Sequence, residues 1–132
     1  MNFKILKSKL SEPLSLLASV AESRQSIPIL SNIYIKAEND LITLIATDLE
    51  IELSFKIECD SILEPGETTV SARKIFDLTR SLSDETPLEF NLKENQLIVT
   101  ALKFNGEFAI LPIQDFPVTE IEKFNLEIKL NG

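Results

Sequence analysis

Two stretches of this chain repeat one order of elements, and that order limits the fold more than any other feature. NFKIL alternates as a short strand and leads into KSKLSEPLSLLASVAES, where Leu10, Leu14, Leu17 and Ala21 recur at helical spacing. Three β-branched runs of strand length follow, NIYIKA, LITLIAT and EIELSFKI. Glu38-Asn39-Asp40 and Asp48-Leu49-Glu50 separate them, and Asn and Asp accept turn geometry cheaply. After EPGE, TTV reads as a strand, ARKIFDLTRSL as a helix capped by Ser71, and LEFNL, QLIVTAL and EFAILPI as three more strands. YIKAENDLITLIA and FNLKENQLIVTAL even share a Lys, a Glu-Asn turn and a Leu-Ile pair. A duplicated unit is expected, with halves of about 1–63 and 64–132 in one domain. The fold class is α+β, with two helices on one side of antiparallel sheets.

Finer expectations follow from single residues. Ser8 is placed to cap the first helix, and Pro13 to fall near its first turns. Gly66 is expected to supply a positive φ in a Pro-Gly turn. Glu50 and Glu52 alternate with Ile51 and Leu53, which makes them the solvated face of a strand rather than, with Asp48, a metal or acid-base group. Cys59 is read as small and partly buried.

Composition removes most chemistry. The chain has no histidine, one cysteine and three glycines. It therefore lacks the commonest general base, an internal disulfide, a zinc ligand set and a phosphate-cradling loop. No cofactor or metal is expected, and no enzyme activity. No apolar run approaches the roughly 18 residues of a membrane span. The start, MNFKILKSKL, lacks the apolar segment of a secretory signal, so the expected compartment is the cytoplasm, away from membranes.

Charge gives the sharper clue. The chain carries 13 basic and 21 acidic residues, a formal charge of −8, which argues against nucleic acid unless the basic groups are gathered. The helix at 72–82 gathers them. At about 100° per residue, Arg80 stands almost directly above Arg73, opposite Ile75, Leu78 and Leu82. Asp77 and Asp84 share that sector, so ion pairs within the face explain the pattern as well as a phosphate site does. Arg24 and Gln25, between the first helix and the first hairpin, read on pattern alone as loop residues.

SIPILSNIYI (26–35), ATDLEIEL (46–53), EPGETTVSARKIFDLTRSL (64–82) and LPIQDFP (111–117), in that order and spacing, resemble the N-terminal domain of the bacterial sliding clamp. This is the processivity (beta) subunit of the replicative DNA polymerase. The resemblance runs from Met1 to about Val118. It implies three such domains per chain, two of them beyond this one, and two chains head to tail as a homodimeric ring around duplex DNA. Helix faces would line the hole. By the same resemblance Arg24, Arg73 and Arg80 match DNA-facing positions, and Lys74, Lys103 and Phe108 match the subunit interface. Phe108 is then expected to stand exposed on an edge strand, a liability that pairing with another subunit removes. Polymerase and clamp loader would be met through the other domains.

The chain departs from the family where Gly106 replaces an aromatic and where Gln96 and Asn105 replace basic residues. The first helix shows Ser8, Glu12, Ser15 and Ser19 where clamps carry more positive charge. A reading of a different class is a protein-interaction module that adds a partner strand to its own edge and never meets DNA.

Overall fold

The computed structural model describes residues 1–21, 27–59, 61–102 and 104–117. The elements are β1 (Asn2–Leu6), α1 (Lys7–Ala21), β2 (Asn32–Glu38), β3 (Leu41–Thr47), β4 (Glu52–Glu58) and β5 (Ser61–Glu64). They continue with β6 (Gly66–Ser71), α2 (Ala72–Arg80), β7 (Pro87–Leu92), β8 (Gln96–Ala101) and β9 (Phe104–Leu111). All strand pairs are antiparallel, in the order β4-β3-β2-β6-β9-β8-β7-β1-β5. Both helices pack together on one face of this layer, α1 over β2, β3 and β4 and α2 beside β2 and β6.

The main core lies between helices and sheet. Leu10, Leu14, Leu17 and Ile75 meet Phe3, Ile33, Ile35, Phe90 and Val99, all essentially without solvent contact. Alternation along β2 sends Tyr34 to the opposite face, where it joins a smaller cluster of Ile29, Leu30, Ile45 and Phe116. Its ring lies 5.8 Å from that of Phe116, and its hydroxyl donates to Glu67.

Several local expectations need correction. Ser8 does not cap α1: the helix begins at Lys7, and its first amides donate to the carbonyls of Thr86 (2.9 Å) and Asp84 (3.0 Å). A tertiary backbone contact thus satisfies donors that a serine hydroxyl would otherwise take. Glu52 is half-buried while Ile51 is 57% exposed, because β4 starts only at Glu52 and Ile51 still belongs to the turn. There the Asp48 carboxylate accepts from the amides of Glu50 (2.9 Å) and Ile51 (2.7 Å), and Leu49 takes a φ of 79°. Asn39 and Asp40, with φ of 54° and 65°, make the tight β2–β3 hairpin turn that their side chains suggested.

Gly66 has no positive φ. The chain passes extended through Pro65, and glycine is required because a Cβ there would stand 2.7 Å from Cβ and 3.1 Å from Cα of Met1. Gly66→Ala is therefore expected to push β1 from β6 and to destabilise the domain by about 1–3 kcal/mol. A denaturant midpoint equal to that of the parent chain would show that the two backbones separate freely.

Candidate nucleic-acid interface

Ser71 starts α2, its hydroxyl accepting from the Lys74 amide at 3.2 Å. Ala72, Ile75 and Thr79 turn into the core, which leaves Arg73, Lys74 and Arg80 exposed on the other side. The arginines share one anion. Arg73 Nε lies 3.3 Å from Asp77 Oδ2, and Arg80 Nη2 lies 3.3 Å from Asp77 Oδ1. The Arg80 guanidinium also sits over the Phe76 ring, 5.4 Å from its centroid. Asp84, the other acid expected beside the arginines, instead pairs with Lys7 at 3.0 Å. The row Arg73, Asp77, Arg80 keeps one net positive charge and faces solvent.

The neighbouring face of α1 offers no such charge. Lys7 is buried in its pair with Asp84, Lys9 donates to the Glu58 carbonyl at 3.3 Å, and Ser8, Glu12, Ser15 and Ser19 are exposed. The carboxylates of Glu38, Asp40, Glu50, Glu64, Glu94 and Asp115 are exposed in turns and strand ends of the sheet layer. Positive charge on the helix layer and negative charge on the sheet layer let an acidic chain meet a polyanion with one side only.

A second feature concerns β9. It pairs with β8 from Phe104 to Ala109, but with β6 only through Thr69↔Leu111 and Val70↔Ile110. The greater part of this long strand, Phe104 to Ala109, therefore has a ladder with β8 alone among the described residues. This is the edge that the resemblance implies, and it arises because β6 gives way to α2 after Ser71.

Phe108 lies on that part but is not exposed as expected: it is 9% accessible and belongs to the main core. A side-chain carbon on Gly106 would stand 2.7 Å from the Phe108 ring and 3.5 Å from Leu78. The missing side chain is what lets the ring fold inward, over Gly106 and towards α2. The open edge therefore presents backbone, flanked by exposed Asn105 and Glu107. Arg24 and Lys103 lie outside the described residues.

No group of three or more potential metal ligands occurs among the described residues. A cleft of about 380 Å³ is walled by Glu67, Thr68, Glu94, Leu92, Leu111 and Ile113. Beside its two carboxylates the only hydroxyl in that lining is that of Thr68, which is buried and donates to the Thr69 carbonyl, so the cleft holds no catalytic arrangement.

Residues 1–120 match the family model described as DNA polymerase III beta subunit, N-terminal domain. The chain belongs to that family. The beta sliding clamp of Pseudomonas aeruginosa is 38% identical over 120 residues, 91% of this chain and 33% of that protein. That of Vibrio cholerae is 34% identical over 131 residues, 99% of this chain and 35% of that protein. The crystal structure of the Pseudomonas aeruginosa DNA polymerase III subunit beta aligns with a TM-score of 0.84 at 38% identity, covering 89% of this chain and 32% of that one. The Caulobacter crescentus clamp aligns at 0.83 and 32% identity, covering 89% and 32%. This clamp domain thus spans about a third of the length of these relatives. No described helix is long and apolar enough to cross a membrane.

Proposed function

We propose that this chain acts as the first domain of a sliding clamp, a non-catalytic cytoplasmic ring subunit that encircles duplex DNA and keeps the replicative polymerase on its template. The observation that carries this is the exposed row of Arg73 and Arg80 on a helix layer whose sheet side is acidic. Such a surface suits loose phosphate contacts. A closed ring is retained by topology, so contacts need only guide the duplex, and weak, water-bridged ones let it slide. Arg24 is assigned to the same DNA-facing set by the resemblance.

The open edge of β9 supports a second subunit as partner, joined through strand addition, with Phe108 supporting it from within and with Lys74 and Lys103 assigned to the same interface by the resemblance. The interaction-module reading shares this edge but leaves the arginine row without a purpose. Polymerase and loader would dock on further domains, and residues 1–132 would be one domain of pseudo-repeated halves.

Charge reversal tests the assignment. In a full-length ring carrying this domain, Arg73→Glu with Arg80→Glu is expected to weaken duplex binding by roughly tenfold or more at low salt. Fluorescence anisotropy with a labelled duplex reads this. Unchanged affinity, with the ring intact by sedimentation, would refute the DNA-facing role of α2 and favour the interaction module.

A further inference from the structure

Asp77 occupies the centre of the arginine row, and helix stability accounts for only one of its two ion pairs. The start of α2 is already capped by Ser71, and its packing comes from Ala72, Ile75 and Thr79. Its pair with Arg73 runs base before acid, the less favourable orientation for a helical ion pair, whereas its pair with Arg80 runs acid before base, the favourable one. Asp77 is 44% exposed as a side chain, yet its Oδ1 has almost no solvent contact and makes no hydrogen bond. That atom meets Arg80 only as an ion pair at 3.3 Å, while Oδ2 meets Arg73 at the same distance. One carboxylate therefore draws both guanidiniums towards the helix surface.

We propose that Asp77 is a positioning residue that tempers the grip of Arg73 and Arg80 on the DNA phosphate backbone. The inference rests on the DNA-facing reading of α2 given above. A phosphate that approaches either guanidinium must share it with a carboxylate already in place, and the row offers one net positive charge instead of two. Each contact is then weaker and each phosphate displaces fewer counterions, which keeps the ring mobile on the duplex. Without that carboxylate the row would carry two positive charges, would hold the backbone more firmly and would slow sliding.

The test uses a full-length ring carrying this domain and a labelled duplex oligonucleotide, with anisotropy recorded across a salt series. Asp77→Asn keeps the shape and removes the charge. It is expected to tighten binding roughly threefold or more at low salt and to steepen the slope of log affinity against log salt by up to about one unit. Asp77→Glu, which keeps the charge, is expected to bind as the parent does. In a background of Arg73→Gln with Arg80→Gln, Asp77→Asn should change neither affinity nor slope, since the groups it acts through are gone. A purely structural aspartate would lower the melting temperature and leave the salt slope alone. If Asp77→Asn fails to fold, Asp77→Ser carries the same measurement.

The inference is overturned if the double arginine variant weakens binding while the neutral Asp77 variants leave it unchanged or lower it. If the double arginine variant itself binds as the parent does, the DNA-facing assignment of α2 fails, and the role of Asp77 fails with it.

Discussion

Phe3→Ala is expected to lower the unfolding free energy by about 3–5 kcal/mol. Phe3 is 1% accessible, and its ring stacks on Phe90 with centroids 4.7 Å apart and planes 8° from parallel. It sits on β1, which pairs with β7 through Phe3↔Phe90 and with β5 through Phe3↔Ile62. The same ring therefore joins the start of the chain to strands from its middle and its second half. Truncation removes the stacking and leaves a void beside Leu10 and Leu14, which helix α1 holds in place and which cannot collapse to fill it. Denaturant unfolding followed by circular dichroism measures the change, with an unaltered slope as the sign that only stability has moved. A loss below about 1 kcal/mol would mean that β1 is not an integral part of the core.

Local chemistry made much of the fold legible. The Asn39-Asp40 turn, the Ser71 cap and the apolar stripe of α1 depend on neighbours within a few residues, and each appears where the sequence puts it; on α2 Ile75 is buried as expected, but Leu78 and Leu82 are only half-buried and the helix ends at Arg80, short of Leu82. What failed depended on residues far apart. Nothing near Ser8 reveals that Thr86 and Asp84 will take its place at the helix start, and nothing near Gly66 reveals Met1. The short strand β5 was not anticipated at all, since SILE has meaning only beside β1.

The candidate site divides in the same way. Arg73 and Arg80 are seven apart on one helix, so periodicity alone aligned them, and Asp77 between them was equally visible. The open part of β9 was implied only by the resemblance, because it depends on where β6 ends, and the inward turn of Phe108 was not visible, because it depends on the room that Gly106 leaves beside Leu78 of α2. The strings that carry the family resemblance are mostly structural. Asn32 of PILSN donates to Thr69 of TTV at 3.1 Å, and that hydroxyl donates to the Leu111 carbonyl at 2.8 Å, tying β2, β6 and β9 together. Asp48 of TDLE fixes the β3–β4 turn. A family of this kind is recognisable by how it holds its sheets together, even where the residues facing a ligand differ.

That distinction governs Phe108, whose replacement by aspartate is expected to unfold the domain and not merely to separate two subunits. The ring lies within the main core, against Gly106 and near Leu78, at 9% accessibility. A carboxylate placed there has no described basic residue drawn in beside it, and burial of an unpaired charge costs several kcal/mol on top of the lost apolar contact. Phe108→Asp should therefore lower the unfolding free energy by about 4 kcal/mol or more, enough to abolish cooperative melting in a domain of ordinary stability. Phe108→Leu keeps most of the apolar contact and should cost about 1–2 kcal/mol while leaving the fold intact. Thermal melts of the two variants by circular dichroism make the comparison. In the full-length ring proposed above, loss of the second subunit in the aspartate variant would then report a collapsed support beneath the open edge, whereas charge changes at exposed Asn105 or Glu107 would report the edge itself. A cooperative melt of Phe108→Asp at the parental temperature would instead place the ring outside the core, on the exposed edge that the sequence suggested.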